Sequence, residues 1–163
     1  MSFKYIIDVN LSKDESYRRL IPQIVSLIKN EKNLIANISN ITSVLKQTFK
    51  DFLWTGFYFY DSKENNLVLG PFQGKVGCTR IAIGKGVCGT AASNKQTMIV
   101  GDVNKFPGHI FCDPDSKSEI VVPVLKDNEL KAVLDIDSGI YNCFDDVDKK
   151  YLEELANKIS NIF

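Results

Sequence analysis

Four cysteines, one histidine and a pair of alternating aspartates are the side chains whose type and spacing could carry chemistry. The cysteines stand at 78, 88, 112 and 143, and the histidine at 109. No two cysteines have the short spacing of a zinc knuckle, and Cys112 with His109 supplies too few ligands for a structural zinc. The choice is therefore between buried, inert thiols and thiol chemistry. Cys112 argues for chemistry. It lies in a polar stretch from Asp102 to Ser118 that contains Pro107, Gly108 and Pro114, and a loop of that length inside a domain is usually functional or disordered. Attack requires the thiolate, and an unperturbed thiol with a pKa of about 8.5 is mostly protonated at neutral pH. His109 or a backbone amide would favour ionisation, while Asp113 and Glu119 would oppose it.

A second feature is Val133-Leu134-Asp135-Ile136-Asp137. On a strand, alternate residues share a face, so Asp135 and Asp137 point one way and Leu134 and Ile136 the other. Two carboxylates on one face are costly unless solvated, paired or turned toward a ligand. The plain reading is a solvated face with Asp137 capping the following turn. The functional reading is an anionic pocket for a substrate ammonium or a metal, with Glu119 joining from the neighbouring strand. Trp54 and Tyr58 also share a face. They are either ordinary core or an aromatic wall around a small apolar group. Gly84-Lys85-Gly86 before a helix could cradle an anion, although a simple turn accounts for it equally.

The elements that must position these residues can be read from periodicity. Asp14 or Ser16 caps a first helix reaching about Asn30, with Pro22 marking a later start near Ile21 or a kink. Leu34, Ile38, Ile41, Leu45 and Phe49 form the core stripe of a second helix. Trp54–Tyr60 and Leu67–Leu69 read as a hairpin that stops at Gly70-Pro71. Cys78–Ile83 reads as a third strand, Val87–Asn94 as a short helix and Thr97–Val100 as another strand. Glu119–Leu125 and Leu130–Ile136 form a second hairpin. A C-terminal helix starts at Asp145 or Asp146, with Val147, Tyr151, Leu155 and Ile159 on its apolar face. The sum is an α+β fold with a mostly antiparallel sheet of about six strands and terminal helices on one face.

Bulk properties narrow the functional classes. The 163 residues suit a single domain spanning 1–163, with 44% hydrophobic and 25% charged residues. Twenty basic and twenty acidic residues cancel, so there is no field to gather nucleic acid. No apolar run approaches the ~20 residues that span a bilayer, and the first residues do not read as a signal peptide. A cytoplasmic setting, with reduced thiols and no membrane partner, is expected.

Taken together, the motifs Trp54-Thr55-Gly56-Phe57-Tyr58, Leu69-Gly70-Pro71-Phe72-Gln73-Gly74, Gly84-Lys85-Gly86-Val87-Cys88-Gly89, Phe106-Pro107-Gly108-His109-Ile110, Cys112-Asp113, Ser118-Glu119-Ile120-Val121-Val122-Pro123 and Val133-Leu134-Asp135-Ile136-Asp137-Ser138 resemble the free methionine-(R)-sulfoxide reductases, enzymes built on a GAF domain. The resemblance runs through nearly the whole chain. It implies that Cys112 is the catalytic nucleophile, Cys78 the main resolving cysteine and Cys88 a third redox thiol, with Cys143 a bystander. It implies that Glu119, Asp135 and Asp137 hold the substrate and assist oxygen departure, while Trp54 and Tyr58 wall the substrate methyl. It further implies thioredoxin as reductant, free methionine (R)-sulfoxide as substrate, no metal or organic cofactor, and suggests a homodimer. The pocket expected between Cys112 and the acidic strand ends is one that admits a single amino acid. The alternatives are a GAF module that senses a small molecule without turnover, a structural or dimerisation domain with incidental cysteines, and a peroxide-sensing thiol protein.

Overall fold

The computed structural model describes residues 11–110 and 112–163, so the expectation about the extreme N-terminus lies outside the described residues. Six antiparallel strands make one sheet: β1 (Phe52–Asp61), β2 (Asn66–Gln73), β3 (Arg80–Ala82), β4 (Met98–Val100), β5 (Ser118–Lys126) and β6 (Glu129–Ser138), in the order β3-β2-β1-β6-β5-β4. The helices are α1 (Lys13–Ile28), α2 (Leu34–Thr48), α3 (Gly86–Asn94) and α4 (Asp146–Ile159), with short 3₁₀ turns at Val103–Lys105 and Ser160–Ile162.

Alternation on the central strands sorts the core into two halves. Phe57, Ile120, Val122, Leu134 and Ile136 point toward α1, α2 and α4 and join Tyr17, Leu20, Ile24, Ile38, Ile41, Leu45, Leu152 and Leu155 in the larger cluster. The intervening residues Trp54, Tyr58, Val121 and Val133 face the other way and pack with Val87, Cys88, Ala91 and Val103. The terminal helices thus cover one face and α3 with the long loop covers the other. The two-residue β5–β6 turn needs left-handed backbone at Asp127 (φ 53°) and Asn128 (φ 62°), which these residue types adopt more readily than most. A buried polar cluster ties α1 to α4. The fully buried Asp148 accepts hydrogen bonds from Tyr17 Oη at 2.9 Å and Lys13 Nζ at 2.5 Å.

Three boundaries differ from the sequence reading. Helix α1 is capped by Ser12 in a capping box with Glu15, not by Asp14 or Ser16, and it passes through Pro22. Pro22 lies on the exposed side, where the carbonyl it leaves without a donor can reach water, and the buried stripe from Tyr17 to Ile28 holds the helix together. Strand β2 also continues through Gly70-Pro71. Its pairing with β1 shifts between Gly56 and Tyr58, and β3 pairs only with Asn66–Val68, so Pro71 sits where a bulge and an open edge excuse its missing donor. Strand β3 is shorter than expected because Cys78 is held elsewhere, as described next.

Candidate active site

The site is built on the α3-facing side of the sheet, where register decides which side chains meet. Glu119 on β5 lies opposite Asp137 on β6, Asp137 lies opposite Trp54 on β1, and Asp135 lies opposite Gly56. Gly56 is required there. A Cβ at that position would stand 2.4 Å from Trp54 Cη2, so the missing side chain is what lets the indole lie back over the sheet. The indole stacks on Phe72 (centroids 5.3 Å apart) and neighbours Tyr58 (5.9 Å). Its Nε1 donates to the Lys75 carbonyl at 2.9 Å, which pins the segment leading from β2 to Cys78.

That segment meets the long loop at a disulfide between Cys78 and Cys112. Lys75 reinforces the junction through ion pairs with Asp113 (3.4 Å) and Asp115. Under the disulfide lie two small cavities, of about 30 Å³ and 20 Å³. Both are lined by Cys112, Asp135 and Asp137. The first continues to Cys88, His109 and Glu119, and the second to Trp54 and Tyr58. Each has room for about one water, so neither of these two cavities is the amino-acid-sized void expected from sequence.

The floor is strongly acidic and buried. Glu119 and Asp135 are 5% and 6% exposed. Burial, then the negative charge of Asp137, pushes Glu119 well above the ordinary range against opposing hydrogen bonds with Asp135 and Cys88, and burial, then the charges of Glu119 and Asp137, does the same to Asp135. One proton held between the two is the physical consequence, since adjacent buried carboxyls cannot both ionise cheaply. Asp137 is pushed up to about 6, chiefly by burial; a hydrogen bond from Ser116 Oγ and the proximity of His109 act against the rise. Cys88 projects from α3 into this floor. Its thiol donates to Glu119 Oε1 at 3.8 Å, and burial followed by the charges of Asp135 and Glu119 raises its pKa. His109 brings Nε2 to 3.5 Å from Glu119 Oε2, and desolvation lowers its pKa. Tyr58, buried beside the same carboxylates, has its phenol raised beyond any physiological titration.

Eight of the residues singled out from the sequence therefore fall in one place: Trp54, Tyr58, Cys78, Cys88, Cys112, Glu119, Asp135 and Asp137. Cys143 does not. It is half-buried against the helix-side core. The Gly84-Lys85-Gly86 turn serves packing, with Ile110 seated against Gly86 (3.1 Å from where a Cβ would lie). Ser116 and Lys75 had not been singled out. Ser116 carries no motif of its own, and the reach of Lys75 to Asp113 and Asp115 crosses 38 and 40 residues of chain. Among the described residues, the one set able to hold a metal ion is Cys88, Glu119 and Asp135, whose ligand atoms lie within 4.8 Å of one another. No helix of the described residues is long and apolar enough to cross a membrane.

A six-stranded antiparallel sheet with its pocket between α3 and a long loop is the architecture of the GAF domain, and the GAF domain family model matches residues 38–163. Its relatives narrow this further. The chain is 52% identical to GAF domain-containing protein A of Dictyostelium discoideum over 92% of this chain and 94% of that protein. It is 50% identical to the free methionine-R-sulfoxide reductase of Saccharomyces cerevisiae over 93% of this chain and 87% of that one. The free methionine-R-sulfoxide reductase of Neisseria meningitidis, solved in complex with its substrate, superposes with a TM-score of 0.96 at 42% identity, covering 99% of this chain and 96% of the other. The chain belongs to the free methionine-R-sulfoxide reductase family of GAF domains.

Proposed function

We propose that this chain reduces free methionine (R)-sulfoxide to methionine with Cys112 as nucleophile. The observation that carries the reading is the Cys78–Cys112 disulfide roofing a buried cluster of carboxyls. A sulfoxide sulfur is electrophilic, but its oxygen leaves only when hydrogen-bonded or protonated. The reduced Cys112 attacks sulfur while Glu119, sharing a proton with Asp135, donates to the oxygen. The protonated oxygen then passes as hydroxyl from the substrate sulfur to the Cys112 sulfur; its bond to the substrate and the transient sulfur–sulfur bond break, methionine departs, and Cys112 is left as a sulfenic acid. The Cys78 thiol condenses with it, releasing water and forming the disulfide observed here. Thioredoxin reopens that bond by exchange, taking the oxidation onto its own thiols.

The two small cavities belong to the end of this cycle. With Cys78 and Cys112 joined, the segments carrying them close over the floor. Reduction frees them to part and admit substrate. Trp54 and Tyr58 then wall the substrate methyl, while Asp135 and Asp137 pair its ammonium. A peptide-bound residue has no ammonium to offer, which accounts for a preference for the free amino acid. The residues supply acid, nucleophile and resolving thiol among themselves, so the reaction needs no resident metal or organic cofactor. A single domain working in the reducing cytoplasm fits this chemistry.

Incubation with methionine (R)-sulfoxide, thioredoxin, thioredoxin reductase and NADPH tests the reading. NADPH consumption that is lost in Cys112→Ser is the expected result. A ligand sensor would consume none, and a peroxide sensor would respond to peroxide alone.

A further inference from the structure

We propose that the pocket floor is also a binding site for a thiophilic divalent cation such as Zn²⁺, held by Cys88, Glu119 and Asp135, and that the cation competes with substrate. The coordination itself stands on geometry. Only the competition rests on the function proposed above.

The three side chains come from α3, β5 and β6, and all are at least nine-tenths buried. Their donor atoms lie within 4.8 Å of one another. Zinc bond lengths of about 2.3 Å to sulfur and 2.0–2.2 Å to oxygen place a thiolate and a carboxylate oxygen roughly 3.5 Å apart in a tetrahedral site. The observed Cys88 Sγ to Glu119 Oε1 separation is 3.8 Å, so a few tenths of an ångström of contraction closes that edge. The second observation is Asp135. It is 6% exposed, lines the cavity, and its Oδ1 is buried with no hydrogen-bond partner among the described residues. A buried carboxylate oxygen without a partner is expensive, and a cation would relieve that cost. All three residues line the 30 Å³ cavity, whose room for about one water would let a solvent molecule complete the coordination.

The donor set selects the metal. One thiolate with two carboxylates suits borderline ions such as Zn²⁺ or Co²⁺, whereas Mg²⁺ and Ca²⁺ take oxygen shells. On binding, the thiol proton and the proton shared by the carboxyls pass to solvent. Two positive charges replace two, so the buried net charge is unchanged. Because Asp135 is also assigned to the substrate ammonium, the two cations exclude each other.

Co²⁺ tests this directly in the disulfide-linked protein, where Cys88 and Cys143 are the two free thiols. A saturable thiolate-to-cobalt charge-transfer band should appear, persist in Cys143→Ser, vanish in Cys88→Ser and require at least about tenfold more Co²⁺ in Asp135→Asn. Zn²⁺ should abolish it at one equivalent. Melting curves of each variant establish that it is folded, and Asp135→Asn keeps the test alive if Cys88→Ser is not. No band in the parent protein, or a band that survives Cys88→Ser, overturns the site. In reduced Cys112→Ser, which lacks the nucleophile and so binds without turnover, methionine (R)-sulfoxide should raise the apparent Kd for Co²⁺. A site that binds Co²⁺ yet ignores the sulfoxide overturns the competition alone.

Discussion

Replacing Glu119 by glutamine changes little in shape and removes one titratable group from the carboxyl cluster. Glu119 touches the Cys88 thiol at 3.8 Å and His109 Nε2 at 3.5 Å, and its carboxyl is hydrogen-bonded with Asp135. The amide can still hydrogen-bond the departing oxygen but cannot surrender a proton to it. Loss of a positioned general acid costs about 10²–10⁴-fold, or about 3–5 kcal/mol of barrier. Glu119→Gln should therefore lower kcat by at least about 10²-fold. Its melting temperature should not fall, because a buried carboxyl raised by desolvation disfavours the folded state once it ionises. The pH profile separates this from a merely structural role. If the protonated form is the active one, as proposed, the parent's rate should fall as pH rises through the elevated pKa of the carboxyl pair. Glu119 is one of the charges that raise Asp135, so in the variant the residual falling limb should move to lower pH. Quenched single-turnover measurements of methionine formation isolate this step from reduction by thioredoxin. A kcat within about threefold of the parent, with the limb unmoved, would refute the assignment of Glu119 as proton donor.

Three further predictions probe the supports of the site. Lys75→Met removes ion pairs that draw the Cys78 and Cys112 segments together; since Lys75 is exposed, the pairs are weak and screened by salt, so trapping the sulfenic acid with a nucleophile should show its condensation slowed modestly at low salt and much less at high salt. Gly56→Ala drives a methyl into the Trp54 ring and should cost about 1–3 kcal/mol in denaturant unfolding while raising KM more than it lowers kcat. Asp137, raised to about 6 from 3.8 by burial, binds its proton more tightly folded than unfolded; its contribution is fully present below pH 3.8 and is lost as pH rises to about 6, so Asp137→Asn should be more stable than the parent at pH 7, by up to about 3 kcal/mol, with the gain fading toward pH 4 in melting-temperature profiles.

Local rules carried the sequence reading as far as the strands. Period-two alternation placed Asp135 and Asp137 on one face, opposite Leu134 and Ile136, and the register on β5 brought Glu119 to them. The amphipathic stripes of α2 and α4 were equally plain, because each buries its apolar face on the same face of the sheet. Pro22 and Gly70-Pro71 misled because a local breaker is tolerated where its missing donor faces solvent or a bulge, and only tertiary position shows that. The site was legible in parts for the same reason. Asp113, Ser116 and Lys75 act through partners distant in sequence, and no periodicity encodes their meeting. Cys88 appeared as one small residue in a helix of small residues; its entry into the carboxyl floor depends on how α3 docks. The tightness of the closed pocket was invisible, since it belongs to the disulfide-linked arrangement and not to any segment.

The central claim is that one sulfoxide oxygen is removed for each Cys78–Cys112 bond made. Fully reduced protein, mixed without oxygen with one equivalent of free methionine (R)-sulfoxide, quenched with an alkylating agent and mapped by mass spectrometry, measures both quantities at once. The account predicts one methionine per disulfide, with Cys143 alkylated throughout. Methionine formed with Cys78 and Cys112 both still alkylated, or no methionine at all, would contradict it.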